Sequence, residues 1–393
     1  MTPSSVIDTY IDHIDDELII EITKKIVAMD SQNPPGKTVD IAKYLAKLCK
    51  KLGFTTKIIP IDEDRHNILA YFGKGNRDIV LSGHLDTVPI GDASKWDFPP
   101  MGMTEKNGRL YGRGTADMKG AVATLIGVMA ALKQSNCELT HRIVFAGTAD
   151  EEVGMYGAEL LKEKGIMKQA DGLIIPEATA LRVGIAEKGP YWVRVKVKGK
   201  AAHGSMPEVG KNAIEGACFA LPYLKQLLPE TEHELLGKST CNIGTINGGA
   251  KINVVPEECS LECDYRLVPG VDQQEFQQGL HQQIQALSRE HECDFSYEIT
   301  HKVPALSTPP NEPLVQGFLE WANKIAAVPK EPIGLTYGTD AAALIPPKEI
   351  PFIIFGPGSP SVIHQTNECV AISELIDTTK IIGAVLIDNF MKK

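Results

Sequence analysis

The chain has 393 residues, 43% hydrophobic and 23% charged, ordinary globular proportions that exclude wholesale disorder and fibrous structure. At about 150 residues per domain, the length predicts two or three domains. Fifty acidic residues against 40 lysines and arginines leave a formal charge of −10, which argues against a broad nucleic-acid-binding face but permits a local cationic pocket.

The N-terminus, MTPSSVIDTYIDHIDDELII, is acidic and lacks the basic region of a signal peptide. No apolar run reaches the roughly 18 residues that span a bilayer. A cytoplasmic protein without membrane partners is therefore expected. Its eight cysteines are scattered with no CxxC pair, which predicts free thiols and leaves any metal to His, Asp and Glu.

Along the chain, DELIIEITKKIVAM has helical periodicity and SQNPPG breaks it. VDIAKYLAKLCKKLG is a second amphipathic helix. TTKIIPI, NILAYFG and DIVLSGHLD read as strands, MKGAVATLIGVMAALKQ as a buried helix, and RIVFAGTADEE as another strand. A short helix around residues 156–164 precedes the strand DGLIIPEAT. Alternating strands and helices with continuous apolar strand runs predict an α/β sheet covered on both faces.

The pattern changes near Gly189, where YWVRVKVKGKAAHG alternates as a half-exposed strand does. The helices NAIEGACFALPYLKQLL and QQEFQQGLHQQIQALSREH and the strands STCNIGTI, CSLECDYRLV and CDFSYEIT complete a βαββαβ order, a small two-layer unit. EPLVQGFLEWANKIA, IPFIIFG and SELIDTTKIIGAVLIDNFM then resume the earlier style. The expected architecture is one discontinuous α/β domain, residues 1–186 and 301–393, interrupted by an α+β domain at 187–300.

Chemistry-bearing residues cluster where these strands end. His84 and Asp86 in SGHLDTVP are two apart and share a face of an extended chain. Asp117 precedes the buried helix, Asp150, Glu151 and Glu152 end an apolar strand, and Glu177 and His364 follow two others. Each has an ordinary reading taken alone: a surface His–Asp pair, a helix N-cap, a solvated acidic loop. Together they place His, Asp, Glu, Glu and His at the carboxyl ends of strands, where α/β sheets bind ligands. Such a set, without thiolate, suits two divalent ions sharing one carboxylate. One of two adjacent glutamates then serves as ligand and the other as base.

SGHLDTVP, KWDFPPMGMTEKNGRLYGRGTADMKG, TADEE and GKAAHGSMPEVGKNAI, in this order along nearly the whole chain, resemble the metallopeptidase M20 family. The resemblance implies a di-metal catalytic domain interrupted by a lid or dimerisation domain. It implies His84, Asp117 and Glu177 on one ion, with Asp117 bridging to a second held by Glu152 and His364. Glu151 matches the general base and Asp86 the aspartate that orients His84. His203, in AAHGS, matches an oxyanion-stabilising histidine supplied to the partner subunit, so a homodimer through the inserted domain is implied. Asn253, Arg266 and the Gly338-Thr339-Asp340 loop match substrate-contacting positions, with a structural salt bridge as the alternative for Arg266. Family members often read GEPT at the third carboxylate, where this chain has Pro176-Glu177-Ala178-Thr179.

The implied activity is hydrolysis of the amide of an N-acyl amino acid. The overall length, the WDFPP and ECV contexts and the compact insert are similar to the acetylornithine deacetylase and succinyl-diaminopimelate desuccinylase branch of amino-acid biosynthesis. An exopeptidase acting on short peptides is the alternative, and a catalytically silent binding protein a more distant one. Zinc is the expected metal, with cobalt or manganese also used in the family.

Overall fold

The computed structural model describes residues 3–345 and 350–392. Two compact units are present, Met1–Ile185 with Thr308–Ile333 and Thr339–Lys393, and Ala186–Ser307 with Gly334–Gly338. The second unit ends at residue 307 where 300 was expected, because strand Asp294–Lys302 runs on and Leu306–Ser307 pairs with Ala186 and Glu187.

The first unit is built on a mixed sheet. Thr55–Pro60 pairs antiparallel with His66–Phe72, which pairs antiparallel with Arg142–Thr148. Arg142–Thr148, Asp78–His84, Ala170–Ile175 and Phe352–Ile354 then lie side by side, all parallel. Every residue of Asp78–His84 is buried, so both faces of the sheet are covered there, as its unbroken apolar run requires. The helix Lys119–Gln134 packs on this strand and is buried nearly all round, which is why its sequence shows little amphipathic contrast. Asp16–Val27 and Ile372–Phe390 pack on it in turn.

Two features were not expected. Pro3–Asp12 is a helix that buries Val6, Ile7 and Tyr10 against Ile372–Phe390. Its Tyr10 hydroxyl donates to the Thr379 carbonyl at 2.7 Å, and the ring occupies the space that a Cβ at Gly383 would take. Thr104–Lys106, Arg109–Tyr111 and Cys369–Ala371 form a separate three-stranded sheet. It ties the segment after His364 to the segment before Asp117.

In the second unit the strand order is Thr240–Gly248, Glu258–Leu267, Gly189–Lys198, Asp294–Lys302, all antiparallel, with Ala213–Gln226 and Gln273–Glu290 packed on it. Tyr191, Val193, Val195 and Val197 point into this core. The intervening Arg194 and Lys196 form a cross-strand ion network with Glu262 and Glu298. The alternating strand stops at Lys198 rather than running to His203, and Ala202–His203 pairs separately with Val254–Val255. All eight cysteines are free thiols.

Candidate metal centre

Parallel strands carry their carboxyl ends to one edge of the sheet, and register sets how closely those ends meet. His84 is the last residue of its strand and lies opposite Thr148, the last of the next. The chain beyond Thr148 turns through Ala149 and Asp150 to Glu151 and Glu152. Glu177 follows Ile175, the end of the neighbouring strand, and His364 lies in the turn region beyond Phe352–Ile354. Asp117 comes from the turn that starts the buried helix.

That turn separates the two readings of Asp117. The residue capping Lys119–Gln134 is Met118, with no side-chain cap, so the Asp117 carboxylate is not spent on the helix. Its Oδ1 lies 3.0 Å from His84 Nε2 and its Oδ2 lies 3.1 Å from His364 Nε2. Glu177 Oε1 is 3.7 Å from His84 Nε2, and Glu152 Oε2 is 3.1 Å from His364 Nε2. The group thus divides into two halves, each with one imidazole and one private carboxylate, and Asp117 stands between them. His84, Asp117 and Glu152 each offer a ligand atom within 4.8 Å of the others.

Each of these residues is held by others. His84 Nδ1 donates to the Asp86 backbone carbonyl at 2.9 Å, which directs Nε2 toward the carboxylates. It is this carbonyl, not the Asp86 carboxylate, that meets His84; the nearer carboxylate oxygen is 3.8 Å away. The Asp86 carboxylate accepts the Glu151 and Glu152 backbone N–H groups, each at 3.2 Å, and Asn33 Nδ2 at 3.0 Å. Asp150, next to the two glutamates in the chain, is paired with Arg65 at 2.9 Å and with Asn33. Among the described residues the Glu151 carboxylate makes no hydrogen bond, which leaves it available to a substrate or a water.

The electrostatics follow from burying carboxylates together. Burial raises Glu151 and Glu177 well above the ordinary carboxylate range, and neighbouring carboxylates add to this against the pull of His84. Glu152 is raised for the same reasons. Burial raises Asp340 to about 7, although the Thr148 hydroxyl donates to it at 2.5 Å. Asp117 goes the other way: hydrogen bonds to His364 and His84 outweigh burial and hold it low. His84 rises despite burial, and His364 is raised to about 10 by Asp117 and Glu152. These opposed shifts follow from packing imidazoles and carboxylates against one another out of water.

This arrangement predicts a pH dependence. A histidine whose folded pKa is raised adds stability that is complete below about pH 6.5 and lost as pH climbs through the folded value. A carboxylate whose folded pKa is raised also favours the fold only while it is protonated. Both contributions fall as pH rises, so chelator-treated protein should unfold at lower temperature at pH 9 than at pH 6. A few degrees is the size expected for about 1 kcal/mol, allowing for the half-exposed His364. A higher unfolding temperature at pH 9 in a calorimetric scan would contradict this electrostatic account.

The remaining expected residues belong to the second unit or its border. His203 is exposed, with Nδ1 2.7 Å from the Ser205 hydroxyl, and Asn253 is exposed. Arg266 is engaged with Asp264 through both Nε (2.8 Å) and Nη2 (3.1 Å). A Cβ at Gly338 would lie 3.1 Å from Pro190 Cδ and 3.2 Å from the Lys188 carbonyl, a close fit. Thr339 is buried, with its hydroxyl accepting the Ala341 N–H at 3.2 Å. Asn33, Arg65 and Glu368, which hold the centre in place, were not anticipated. SQNPPG read only as a helix breaker, and Glu368 entered only as the first residue of the ECV context, with no role given to it.

A mixed α/β unit with imidazoles and buried carboxylates at the carboxyl ends of its strands is the setting of a metal-assisted hydrolase. The chain belongs to peptidase family M20/M25/M40, whose pattern matches residues 80–388, and it is a hydrolase of that family. It is 32% identical over 392 residues to the Staphylococcus aureus protein named "Probable succinyl-diaminopimelate desuccinylase", covering 92% of this chain and 96% of the relative. It is 31% identical over 385 residues to an acetylornithine deacetylase of Proteus mirabilis, covering 94% and 96%. An M20 family metallo-carboxypeptidase from Sulfolobus solfataricus shares the fold, with a TM-score of 0.80 at 19% identity over 94% of this chain and 98% of its own. No helix among the described residues is long and apolar enough to cross a membrane.

Proposed function

We propose that this protein is a di-metal amidohydrolase that removes the acyl group from an N-acyl amino acid, in the manner of acetylornithine deacetylase or succinyl-diaminopimelate desuccinylase. The observation that carries this reading is the Asp117 carboxylate, with one oxygen on His84 and the other on His364. The donor set fits: two imidazoles and three carboxylates, with Asp117 within 3.1 Å of both imidazoles and no cationic side chain among them. His84, Asp117 and Glu177 would hold one ion, and Asp117, Glu152 and His364 the other, with zinc the preferred metal and cobalt or manganese as substitutes.

When bound, the ions supply Lewis acidity to the amide carbonyl and lower the pKa of water. Glu151 removes the proton of the attacking water and returns it to the leaving amine, the two halves of general base and general acid work. Its backbone is fixed by Asp86, so its carboxylate can move a proton without a rearrangement of the turn. Arg266, released from Asp264, would grip the substrate carboxylate in a bidentate pair, and Asn253 and the backbone at Gly338 and Thr339 would make further substrate contacts.

His203 would act on the site of a second copy, donating to the oxyanion of the tetrahedral species. A dimer through the inserted unit is supported by its edge strand Thr240–Gly248, with Ile246, Ile252 and Val254 exposed on and beside it. Replacing His203 with alanine should lower kcat by about 10²-fold or more, as loss of an oxyanion donor does. An unchanged kcat would remove His203 from the mechanism. A role in amino-acid biosynthesis would place the enzyme in the cytoplasm.

A substrate panel tests the reading. N-acetylornithine and N-succinyl-diaminopimelate should be hydrolysed in the presence of Zn²⁺ or Co²⁺, ahead of other N-acyl amino acids. Preferential cleavage of dipeptides or tripeptides would instead make the protein an exopeptidase with the same catalytic residues.

A further inference from the structure

Glu368 is fully buried, four residues beyond His364. Its Oε1 accepts three consecutive-turn backbone N–H groups, from Gly114 (2.9 Å), Ala116 (2.9 Å) and Asp117 (3.0 Å). Its Oε2 accepts Arg113 Nη1 at 2.6 Å, and its own carbonyl accepts the Gly112 N–H at 3.0 Å. Directly after it, Cys369–Ala371 pairs with Arg109–Tyr111. Arg113 is itself fixed by the Pro89 carbonyl at 3.2 Å and by the face of Trp96, 5.3 Å from its guanidinium carbon.

We propose that Glu368 is a positioning residue for the metal centre: it clamps the turn that presents Asp117 and locks that turn in register with His364. The proposal rests on the di-metal reading above. One short segment then supplies both a ligand, His364, and the hold on the carboxylate that faces it. Because the Asp117 N–H is one of the three bonds, a shift of Glu368 moves the Asp117 backbone directly. A turn preceding a helix has several N–H groups pointing the same way without helical partners, and a single carboxylate oxygen collects them. The helix has no N-cap side chain, and the three N–H groups that this buried glutamate accepts lie in the turn just before it.

The test is Glu368→Gln, which keeps the shape but turns an amide N–H₂ toward Arg113 or the turn. Ion affinity, measured by competition with a chromophoric chelator, should weaken by about 10–100-fold, the usual cost of losing a group that supports a ligand. The far-UV circular dichroism of the ion-free protein should be unchanged. A folded variant that binds two ions with wild-type affinity would overturn the proposal while leaving the di-metal reading intact. A wild-type chain that takes up no divalent ion would overturn both. If Glu368→Gln is not recovered folded, Glu368→Asp decides, since it keeps the charge but draws the carboxylate back from the three backbone N–H groups. A measurable loss of ion affinity supports the clamp, and wild-type affinity in that variant overturns it.

Discussion

Glu151→Gln is expected to reduce kcat by about 10²–10⁴-fold, the usual worth of a positioned general base, with both ions still bound. The reason for the clean separation is structural. The Glu151 carboxylate makes no hydrogen bond among the described residues, while its backbone N–H is held by Asp86, so the substitution leaves the turn anchored. Removing the carboxylate also relieves repulsion with Glu177, Glu152 and Asp340, the groups that help raise its pKa. The ion-free variant should therefore be no less stable than wild type in a thermal scan. Wild-type kcat would refute the base assignment, and loss of one ion in parallel with activity would make Glu151 a ligand instead.

Asp117→Ala should be more damaging still, because one residue serves both halves of the centre. A protein that binds ions only when folded gains about 2.7 kcal/mol at an ion concentration 100 times Kd. The wild-type chain is expected to show such a gain and the alanine variant almost none, with turnover below detection. The pH dependence offers an independent check. His84 and His364 both owe their raised pKa values in part to Asp117, so the fall in ion-free stability between pH 6 and pH 9 should flatten in the variant. Two ions bound by the alanine variant, or retained turnover, would contradict the bridging placement of Asp117.

Much of this architecture is legible in the sequence, for definite reasons. The parallel strands are read correctly because burial on both faces leaves continuous apolar runs, as in Asp78–His84. The inserted unit is read from its strict alternation in Gly189–Lys198, where one face is core and the other carries charge. Most residues gathered at the centre are visible because they end a strand, lie just beyond one or come just before a helix; His364 sits in the longer turn region after Phe352–Ile354.

What is not legible is long-range hydrogen bonding. Nothing local in SQNPPG indicates that Asn33 bridges Asp86 and Asp150, which are far apart in the chain. The three-stranded sheet that joins Arg109–Tyr111 to Cys369–Ala371 uses strands too short to show periodicity. The helix Pro3–Asp12 is missed because its apolar residues Val6, Ile7 and Tyr10 are sparse among polar ones, and its packing is set by the distant Gly383. Asp86 marks the limit most clearly: the spacing correctly associates it with His84, but the contact is made by its carbonyl, and its carboxylate supports the Glu151–Glu152 turn.

Hydrolysis is expected to need two ions at this group of residues. The most direct measurement is the rate of N-acetylornithine and N-succinyl-diaminopimelate hydrolysis as Zn²⁺ is titrated into chelator-stripped protein. The stripped protein should show no turnover, and the rate should rise and level off at two ions per chain. Full turnover in excess chelator, or a rise that levels off at one ion per chain, would contradict this.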